Sequence, residues 1–242
     1  DNHTMSYKLH QITGIEERRY VDQNTVTSDI GFIAAQKAIE KSGINPETLD
    51  YIIFAHNFGD VPFGTVQGDT VPSLAARVKH ALGIKNNFCV AYDLLFGCPG
   101  WIEGVIQANS FIKSGIASRC LVIGAETLSR VVDIHDRDSM IYADGAGAVV
   151  IESCSSGEGI LSHLSASHTH KEMDYLFFGK SYNKQSSGET RYLKMNGRRI
   201  YEFAIVNVPA AMKKCYDDSG CSIDKLSKII IHQANEKMDE EI

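Results

Sequence analysis

The stretch Tyr92–Val105, YDLLFGCPGWIEGV, joins an apolar run to an amphipathic one through a single cysteine and a Pro-Gly pair. The pattern predicts a buried strand before Cys98 and a helix over 99–114, with Pro99 at the first helical position, where its missing N–H costs nothing. The flanking glycines allow a tight turn. Cys98 is therefore expected at a helix N-terminus, where the macrodipole favours thiolate and backbone N–H groups can stabilise an oxyanion. The alternative is a buried structural cysteine.

Apolar runs between turn residues extend this pattern along the chain. The runs that predict strands are LDYIIFA (49–55), NFCVAYDLL (87–95), RCLVIGAE (119–126), GAGAVVIES (145–153), GILSHLSASH (159–168) and LSKIIIHQAN (226–235). Helical spacing predicts helices over 73–84, 99–114 and 197–220. Alternating strands and helices with continuous apolar strands indicate an α/β fold built around a buried sheet.

One more helix is predicted before the first strand. Thr27 or Ser28 is expected to cap it and Gly43 to end it. The apolar positions that should face the core are Ile30, Ile33, Ala34, Ala38 and Ile39. The loop 57–70, NFGDVPFGTVQGDT, is longer than most connections, which favours a functional role for it.

An internal repeat suggests that the chain has two related halves. KAIEKSGINPETLDYIIFAHN aligns with KCYDDSGCSIDKLSKIIIHQAN through a Ser-Gly pair, a leucine, two isoleucines and a histidine. The predicted domains are residues 1–153, which carry Cys98, and residues 154–242, which carry His232.

Composition excludes several classes of protein. Twenty-four Lys and Arg against 30 Asp and Glu give a net charge of −6, which argues against non-specific nucleic-acid binding. No apolar run approaches the roughly 20 residues of a membrane span. The N-terminal DNHTMSYKLHQ is polar, unlike a signal peptide. Six cysteines without a CxxC pair indicate neither a zinc site nor a disulfide framework. A cytoplasmic location is expected.

Among nine histidines, His232 is the best placed for chemistry. It follows a predicted buried strand, at the carboxyl end where α/β sheets place their sites. A structural role for a lone histidine in this position stays open. His56 occupies the equivalent place in the repeat and is interpreted as structural. His168 and His170 lack a third ligand nearby, so they do not predict a metal site.

Five stretches in register resemble the β-ketoacyl-acyl-carrier-protein synthase III family of the thiolase superfamily. They are ITGIEERR (12–19), the Cys98 junction with ANSFIKSG (108–115), LVIGAETLSR (121–130), DRDSMIYADGAGAVV (136–150) and HQAN (232–235). The resemblance implies a thiolase-like five-layered αβαβα fold built from two similar βαβαβ halves. It also implies a homodimer, with the active cysteine at the base of a pantetheine tunnel.

The resemblance implies an acyltransferase that condenses two thioesters. Cys98 would accept an acyl group, and a malonyl thioester on CoA or acyl carrier protein would then condense with it after losing carbon dioxide, giving a 3-oxoacyl product. His232 would bind the malonyl carbonyl. The residues implied in binding substrate or CoA are Thr13, Arg137, Tyr201, Asn235 and Lys237. The implied partners are acyl carrier protein and CoA thioesters, and no permanently bound cofactor or metal is expected.

The sequence departs from the family pattern at three places. The family's catalytic asparagine is expected beyond Ile242, and its opening strand before residue 1. Lys8 and Ile12 stand where members that use acetyl-CoA often carry tryptophan and arginine. Val71 replaces an aromatic residue that gates the neighbouring subunit's acyl pocket, which predicts a primer longer than acetyl.

Alternative functions remain at this point. One is a ketosynthase of specialised metabolism that joins longer acyl units. Another is a non-catalytic partner subunit with the synthase fold, against which the presence of both Cys98 and His232 argues. A cysteine hydrolase would need the same two residues but would not explain DGAGAVV and HQAN in register.

Overall fold

The computed structural model describes residues 2–156, 158–185 and 188–242. Their helices and strands are α1 (Asn2–Thr13), α2 (Thr27–Ser42), β1 (Tyr51–Ala55), α3 (Leu74–Ala81), β2 (Val90–Leu94), α4 (Gly100–Lys113), β3 (Arg119–Thr127), β4 (Asp144–Glu152), β5 (Leu176–Lys180), β6 (Arg191–Met195), α5 (Gly197–Ser219) and α6 (Glu236–Glu241). Single 3₁₀ turns lie at Pro46–Thr48, Leu128–Arg130, Arg137–Ile141 and Ile223–Lys225.

The chain packs as two compact units. The first comprises residues up to Arg18 with 132–142 and 160–242, and the second comprises 19–131 with 143–159. They are called the hairpin unit and the sheet unit below. The division predicted between residues 153 and 154 separates two halves related by the internal repeat, which is a different criterion from compact packing. It stays a prediction.

The sheet unit is a four-stranded sheet with helices on both faces. The strand order is β2-β1-β3-β4, with β1 parallel to β2 and β3 and with β4 antiparallel to β3. Alternate residues of β1 face opposite ways, so Ile52 and Phe54 pack with α2 and α3, while Ile53 packs with α4. Each face therefore has its own apolar core, as predicted for a buried sheet.

The helix α2 corrects two expectations. Val26, rather than Thr27 or Ser28, precedes the first turn, and its N–H donates to Asp29 Oδ2 at 2.9 Å. Both predicted caps lie inside the helix, where the Thr27 hydroxyl bonds the Thr127 hydroxyl and Ser28 Oγ donates to an aspartate. Ile33 is 47% exposed, because the buried face includes these hydroxyl residues instead.

The hairpin unit contains α1, the antiparallel pair β5–β6, α5 and α6. The helix predicted over 197–220 is confirmed as α5, and Gly220 ends it with φ of 66°. The strands predicted over 159–168 and 226–235 do not form. An apolar run becomes a strand only when a neighbouring strand pairs with it, and among the described residues no strand pairs with either segment.

The predicted repeat is visible as local structure. In both copies a helix ends at a left-handed glycine, Gly43 in one and Gly220 in the other. A 3₁₀ turn follows each glycine, at Pro46–Thr48 and at Ile223–Lys225. Only the first copy continues as a paired strand, β1.

Candidate active site

Cys98 lies between the end of β2 and the start of α4. The strands β1, β2 and β3 run parallel, so their carboxyl ends meet at the edge where this junction lies. Gly97 has φ of 74°, a conformation that glycine adopts without strain. The helix α4 begins at Gly100, and Pro99 precedes it instead of occupying its first position, a correction of one residue.

Small residues bring α4 close to the sheet. A Cβ at Gly100 would lie 3.1 Å from Ala55 Cβ on β1, and one at Gly124 on β3 would lie 2.9 Å from Trp101 Cβ. Further along α4, a Cβ at Gly104 would lie 2.8 Å from Val122 Cγ1. The helix α4, which follows Cys98, therefore packs directly against β1 and β3, with no room for larger side chains at these glycines.

The thiol of Cys98 is more weakly acidic than expected. Its side chain is exposed, yet the protein atoms packed around it raise its pKa; its own backbone N–H opposes the rise, and the nearby Glu126 carboxylate adds to it. Burial also raises the pKa of Cys120, to about 12. The position is the predicted one, but the expectation that it favours thiolate was wrong.

Two side chains that the sequence analysis missed surround this junction. Glu126 Oε2 accepts hydrogen bonds from Asn57 N at 2.7 Å and from Asn57 Nδ2 at 3.0 Å. Asn57 Oδ1 in turn accepts from Gly97 N at 3.0 Å. Both residues stand at the ends of strands that were predicted correctly, β1 and β3. A polar residue at the carboxyl end of a buried strand was the available signal.

His56 has a structural environment, as interpreted from the sequence. It is buried, and its Nδ1 accepts from Gly59 N at 3.0 Å, so its Nε2–H donates to Asp93 Oδ2 at 2.9 Å. Asp93 also accepts from Leu74 N and Ala75 N, at the start of α3. Burial alone would raise the pKa of Asp93, but these hydrogen bonds outweigh it and lower the pKa.

Val71 follows the long loop and is 83% exposed. Its N–H donates to Asp69 Oδ1 at 3.0 Å. Arg77 of α3 pairs with both Asp60 and Asp69, at 2.7 and 2.9 Å, and so holds the two ends of the loop. The apolar side chain that was predicted to gate an acyl pocket thus projects from a braced loop.

The remaining predicted residues all belong to the hairpin unit. His232 is exposed in an extended segment, Tyr201 is half-buried on α5 and Lys237 is exposed on α6. Thr13 and Asn235 line one groove of about 710 Å³. Thr13 Oγ1 donates to Leu9 O at 2.7 Å, and Asn235 caps α6 by accepting from Met238 N. The groove is acidic, and its charged lining residues are Glu16, Glu17, Arg18, Glu236, Asp239 and Glu240.

Arg137 is 77% exposed at the start of a 3₁₀ turn that a buried network anchors. Asp136 caps the turn by accepting from Asp138 N at 3.0 Å. Lys194 of β6 lies 3.2 Å from the other oxygen of Asp136 and 2.6 Å from Asp133. This network was not predicted, because a lysine in an alternating sequence pattern looks solvent-exposed.

Across residues 2–156, 158–185 and 188–242, no helix is both long and apolar enough to cross a membrane. The same residues contain no cluster of three His, Cys, Asp or Glu side chains arranged to bind a metal ion.

Comparison with known proteins gives a consistent result. The sequence profile of the 3-oxoacyl-[acyl-carrier-protein] synthase III family matches residues 92–168. The β-ketoacyl-[acyl-carrier-protein] synthase III of Erythrobacter litoralis is 37% identical over 231 residues, which cover 93% of this chain and 68% of the relative. That of Staphylococcus haemolyticus is 35% identical over 233 residues, covering 96% and 68%.

Solved structures agree with the sequence relatives. The Thermus thermophilus synthase III superposes with a TM-score of 0.78 at 31% identity, covering 95% of this chain and 68% of the other. The Aquifex aeolicus synthase gives 0.80 at 30% identity, covering 97% and 70%. The fold is therefore thiolase-like, as predicted. The chain belongs to the β-ketoacyl-acyl-carrier-protein synthase III family of condensing enzymes.

Proposed function

We propose that Cys98 accepts an acyl group from a thioester and transfers it to a decarboxylated malonyl unit. The Cys98 sulfur attacks the thioester carbonyl, and the CoA or carrier-protein thiol leaves. Loss of carbon dioxide from the malonyl thioester then gives an enolate carbon, which attacks the acyl carbonyl and releases Cys98. The observation that carries the proposal is the position of Cys98 before α4, at the carboxyl ends of three parallel strands.

The local geometry supports stabilisation of the oxyanion that forms on acyl transfer. Gly100 N already donates to Gly97 O at 3.0 Å. The following N–H groups of a helix's first turn have no intrahelical partner, so they can donate to a developing negative charge. The family resemblance assigns the second step to His232, whose ring would hydrogen-bond the malonyl carbonyl and favour its enolate. The exposure of His232 leaves its ring accessible to a substrate.

The charges on the hairpin unit assign different binding places to the pantetheine and to the phosphates of the substrate. The groove lined by Thr13 and Asn235 carries five carboxylates and one arginine, which suits the neutral pantetheine rather than phosphate. Arg137 and Lys237 are exposed cations that can pair with the phosphates of CoA or carrier protein. Acyl carrier protein, CoA thioesters, a homodimeric assembly and a cytoplasmic location belong to this proposal. The chemistry needs no resident cofactor.

A product assay with the full-length protein tests the two roles separately. Cys98→Ala should form neither the acyl-enzyme nor the 3-oxoacyl product from acyl-CoA and malonyl carrier protein. His232→Ala should still become acylated but should lose condensation by about 10²–10³-fold, the usual cost of one oxyanion donor. His163→Ala, which alters another exposed histidine of the same unit, should match the unaltered protein. Unimpaired condensation by His232→Ala would contradict its assigned role.

A second candidate is condensation of longer acyl units in specialised metabolism. The exposed Val71 favours it, because a small residue at the predicted gate leaves room for a longer chain. The preferred acyl length of the enzyme separates the two candidates.

A further inference from the structure

Glu126 ends in an enclosed position at the carboxyl end of β3. Its Oε2 accepts two hydrogen bonds from Asn57, whereas its Oε1 is enclosed and has no hydrogen-bond partner among the described residues. An enclosed carboxylate oxygen without a donor is costly, because it has lost its water without compensation. Burial accordingly raises the pKa of Glu126, and the hydrogen bonds from Asn57 and Phe58 oppose that rise.

Asn57 links this carboxyl to the residue before Cys98. Its amide nitrogen donates to Glu126 and its amide oxygen accepts from Gly97 N, so both ends of the amide are fixed by partners of opposite type. Gly97 has the left-handed backbone conformation that turns the chain into Cys98. The carboxyl of Glu126, the amide of Asn57 and the turn at Gly97 form one chain of contacts within the sheet unit.

Glu126 is also the charged group that acts on the Cys98 thiol. An ionised carboxylate close to a thiol opposes its conversion to thiolate, since both would be negative. A neutral carboxyl does not oppose the formation of the thiolate. The titratable side chains that face Glu126 are His56, on the segment after β1, and Cys98 itself, before α4.

We propose that Glu126 is a positioning residue for Cys98, which holds the turn at Gly97 through Asn57 and controls the reactivity of the thiol through its own charge. The functional meaning rests on the proposed role of Cys98 as acyl acceptor. Protonation of Glu126 would remove its electrostatic contribution to keeping Cys98 in the thiol form, a contribution that adds to the larger effect of the atoms packed around the thiol.

The test is the rate of Cys98 alkylation by iodoacetamide as a function of pH, followed by peptide mass spectrometry on the full-length protein. In the unaltered protein the midpoint for Cys98 should lie above the value of about 8.5 for a free cysteine. Glu126→Gln keeps an acceptor for Asn57 but removes the charge. At pH 7.5 this variant should raise the alkylation rate by about threefold or more, because lowering the pKa of the Cys98 thiol by one unit raises the thiolate fraction about tenfold.

Two further variants separate charge from structure. Glu126→Asp keeps the charge and should stay closer to the unaltered profile than Glu126→Gln. Glu152→Gln removes a carboxylate at the opposite end of the sheet, where Glu152 pairs with Arg119, and should leave Cys98 unchanged. Equal profiles for Glu126→Gln and Glu152→Gln would overturn the proposal, as would equal shifts in Glu126→Gln and Glu126→Asp.

The alkylation profile stays informative if Glu126→Gln does not fold or if the proposed function is wrong. If Glu126→Gln does not fold, as judged by circular dichroism, a Cys98 midpoint below that of a free cysteine in the unaltered protein would still overturn the proposal. Alkylation needs no thioester. A protein that accepts no acyl group at Cys98 would contradict the proposed function while the alkylation profile still reports on Glu126.

Discussion

The ammonium of Lys194 lies 2.6 Å from Asp133 Oδ2, and both side chains are only 2% exposed. Lys194 also contacts Asp136 and lies 3.8 Å from the centre of the Tyr182 ring. Asp133 accepts further hydrogen bonds from Ser181 Oγ and Tyr182 N. This buried cluster joins segment 132–142 to the β5–β6 hairpin and should contribute strongly to the stability of the hairpin unit.

Stability should fall in acid because of this cluster. Burial alone would raise the pKa of Asp133, but the hydrogen bonds from Lys194, Tyr182, His135 and Ser181 lower it to about 2. A lowered carboxyl pKa stabilises the fold above its unfolded value of 3.8, and this contribution is lost as pH falls from there toward about 2. Lys194→Met should lower the free energy of unfolding at pH 7 by about 3 kcal/mol, since it leaves buried carboxylates unpaired.

Urea unfolding of Lys194→Met at pH 7 and pH 3 measures this effect. Its deficit should shrink at pH 3, where protonation begins to relieve the unpaired carboxylates. Lys184→Met, at an exposed lysine of the same unit, is the control and should be neutral. A deficit that is equal at the two pH values would show that lost packing, rather than lost charge, causes the destabilisation.

Arg137 should matter only for donors that carry phosphate groups. Arg137→Ala should raise KM for an acyl-CoA by about tenfold, the effect of losing roughly 1.4 kcal/mol of charge-assisted binding. Acyl-pantetheine lacks the nucleotide and its phosphates, so its KM should not change. Steady-state kinetics with both donors makes the comparison, and equal losses for the two would assign Arg137 a structural role instead.

Val71 should control acyl length. Comparing acetyl-, hexanoyl- and decanoyl-CoA as acyl donors to Cys98 should show a preference for one of the longer two. Val71→Phe should shift that preference toward acetyl, because the larger ring fills the space at the predicted gate. The side chain is exposed in the sheet unit, so the substitution should leave the melting temperature unchanged. A strict acetyl preference in the unaltered protein would contradict the prediction.

The close approach of α4 to the sheet should make Gly104 intolerant of substitution. A Cβ there would lie 2.8 Å from Val122 Cγ1 and 3.4 Å from Ile53 Cγ2. Gly104→Ala should therefore destabilise the protein by about 1–3 kcal/mol through overpacking. Gly145→Ala on β4, where a Cβ meets nothing within 4 Å, is the control for thermal unfolding. Equal melting temperatures for the two variants would contradict the packing argument.

The sheet unit could be predicted from sequence because its strands contain continuous apolar runs, and the two central strands, β1 and β3, are buried on both faces. The strands β1, β3 and β4 fall within one or two residues of the predicted segments. The structure of the hairpin unit was harder to predict from sequence. The run LSKIIIHQAN contains three consecutive isoleucines, but Ile229 and Ile230 are 61% and 86% exposed. Strand pairing depends on a neighbouring strand that the sequence pattern does not reveal.

The candidate site was predictable in position but not in electrostatics. The Pro-Gly pair after Cys98 correctly indicated a strand-to-helix junction. The direction of the pKa shift could not be read from the same residues, because it depends on packing around the thiol and on Glu126, a residue 28 positions away in sequence but linked to the junction through Asn57. Long-range contacts of this kind leave no local signal.

The central claim, that Cys98 is the acyl acceptor, is tested most directly by intact-protein mass. The full-length protein and Cys98→Ala are incubated with acyl-CoA thioesters of several lengths, and in parallel with acyl carrier proteins. We expect a mass gain of one acyl group that is lost in Cys98→Ala. An unaltered mass with every CoA and carrier-protein donor, or an adduct that persists in Cys98→Ala, would contradict it.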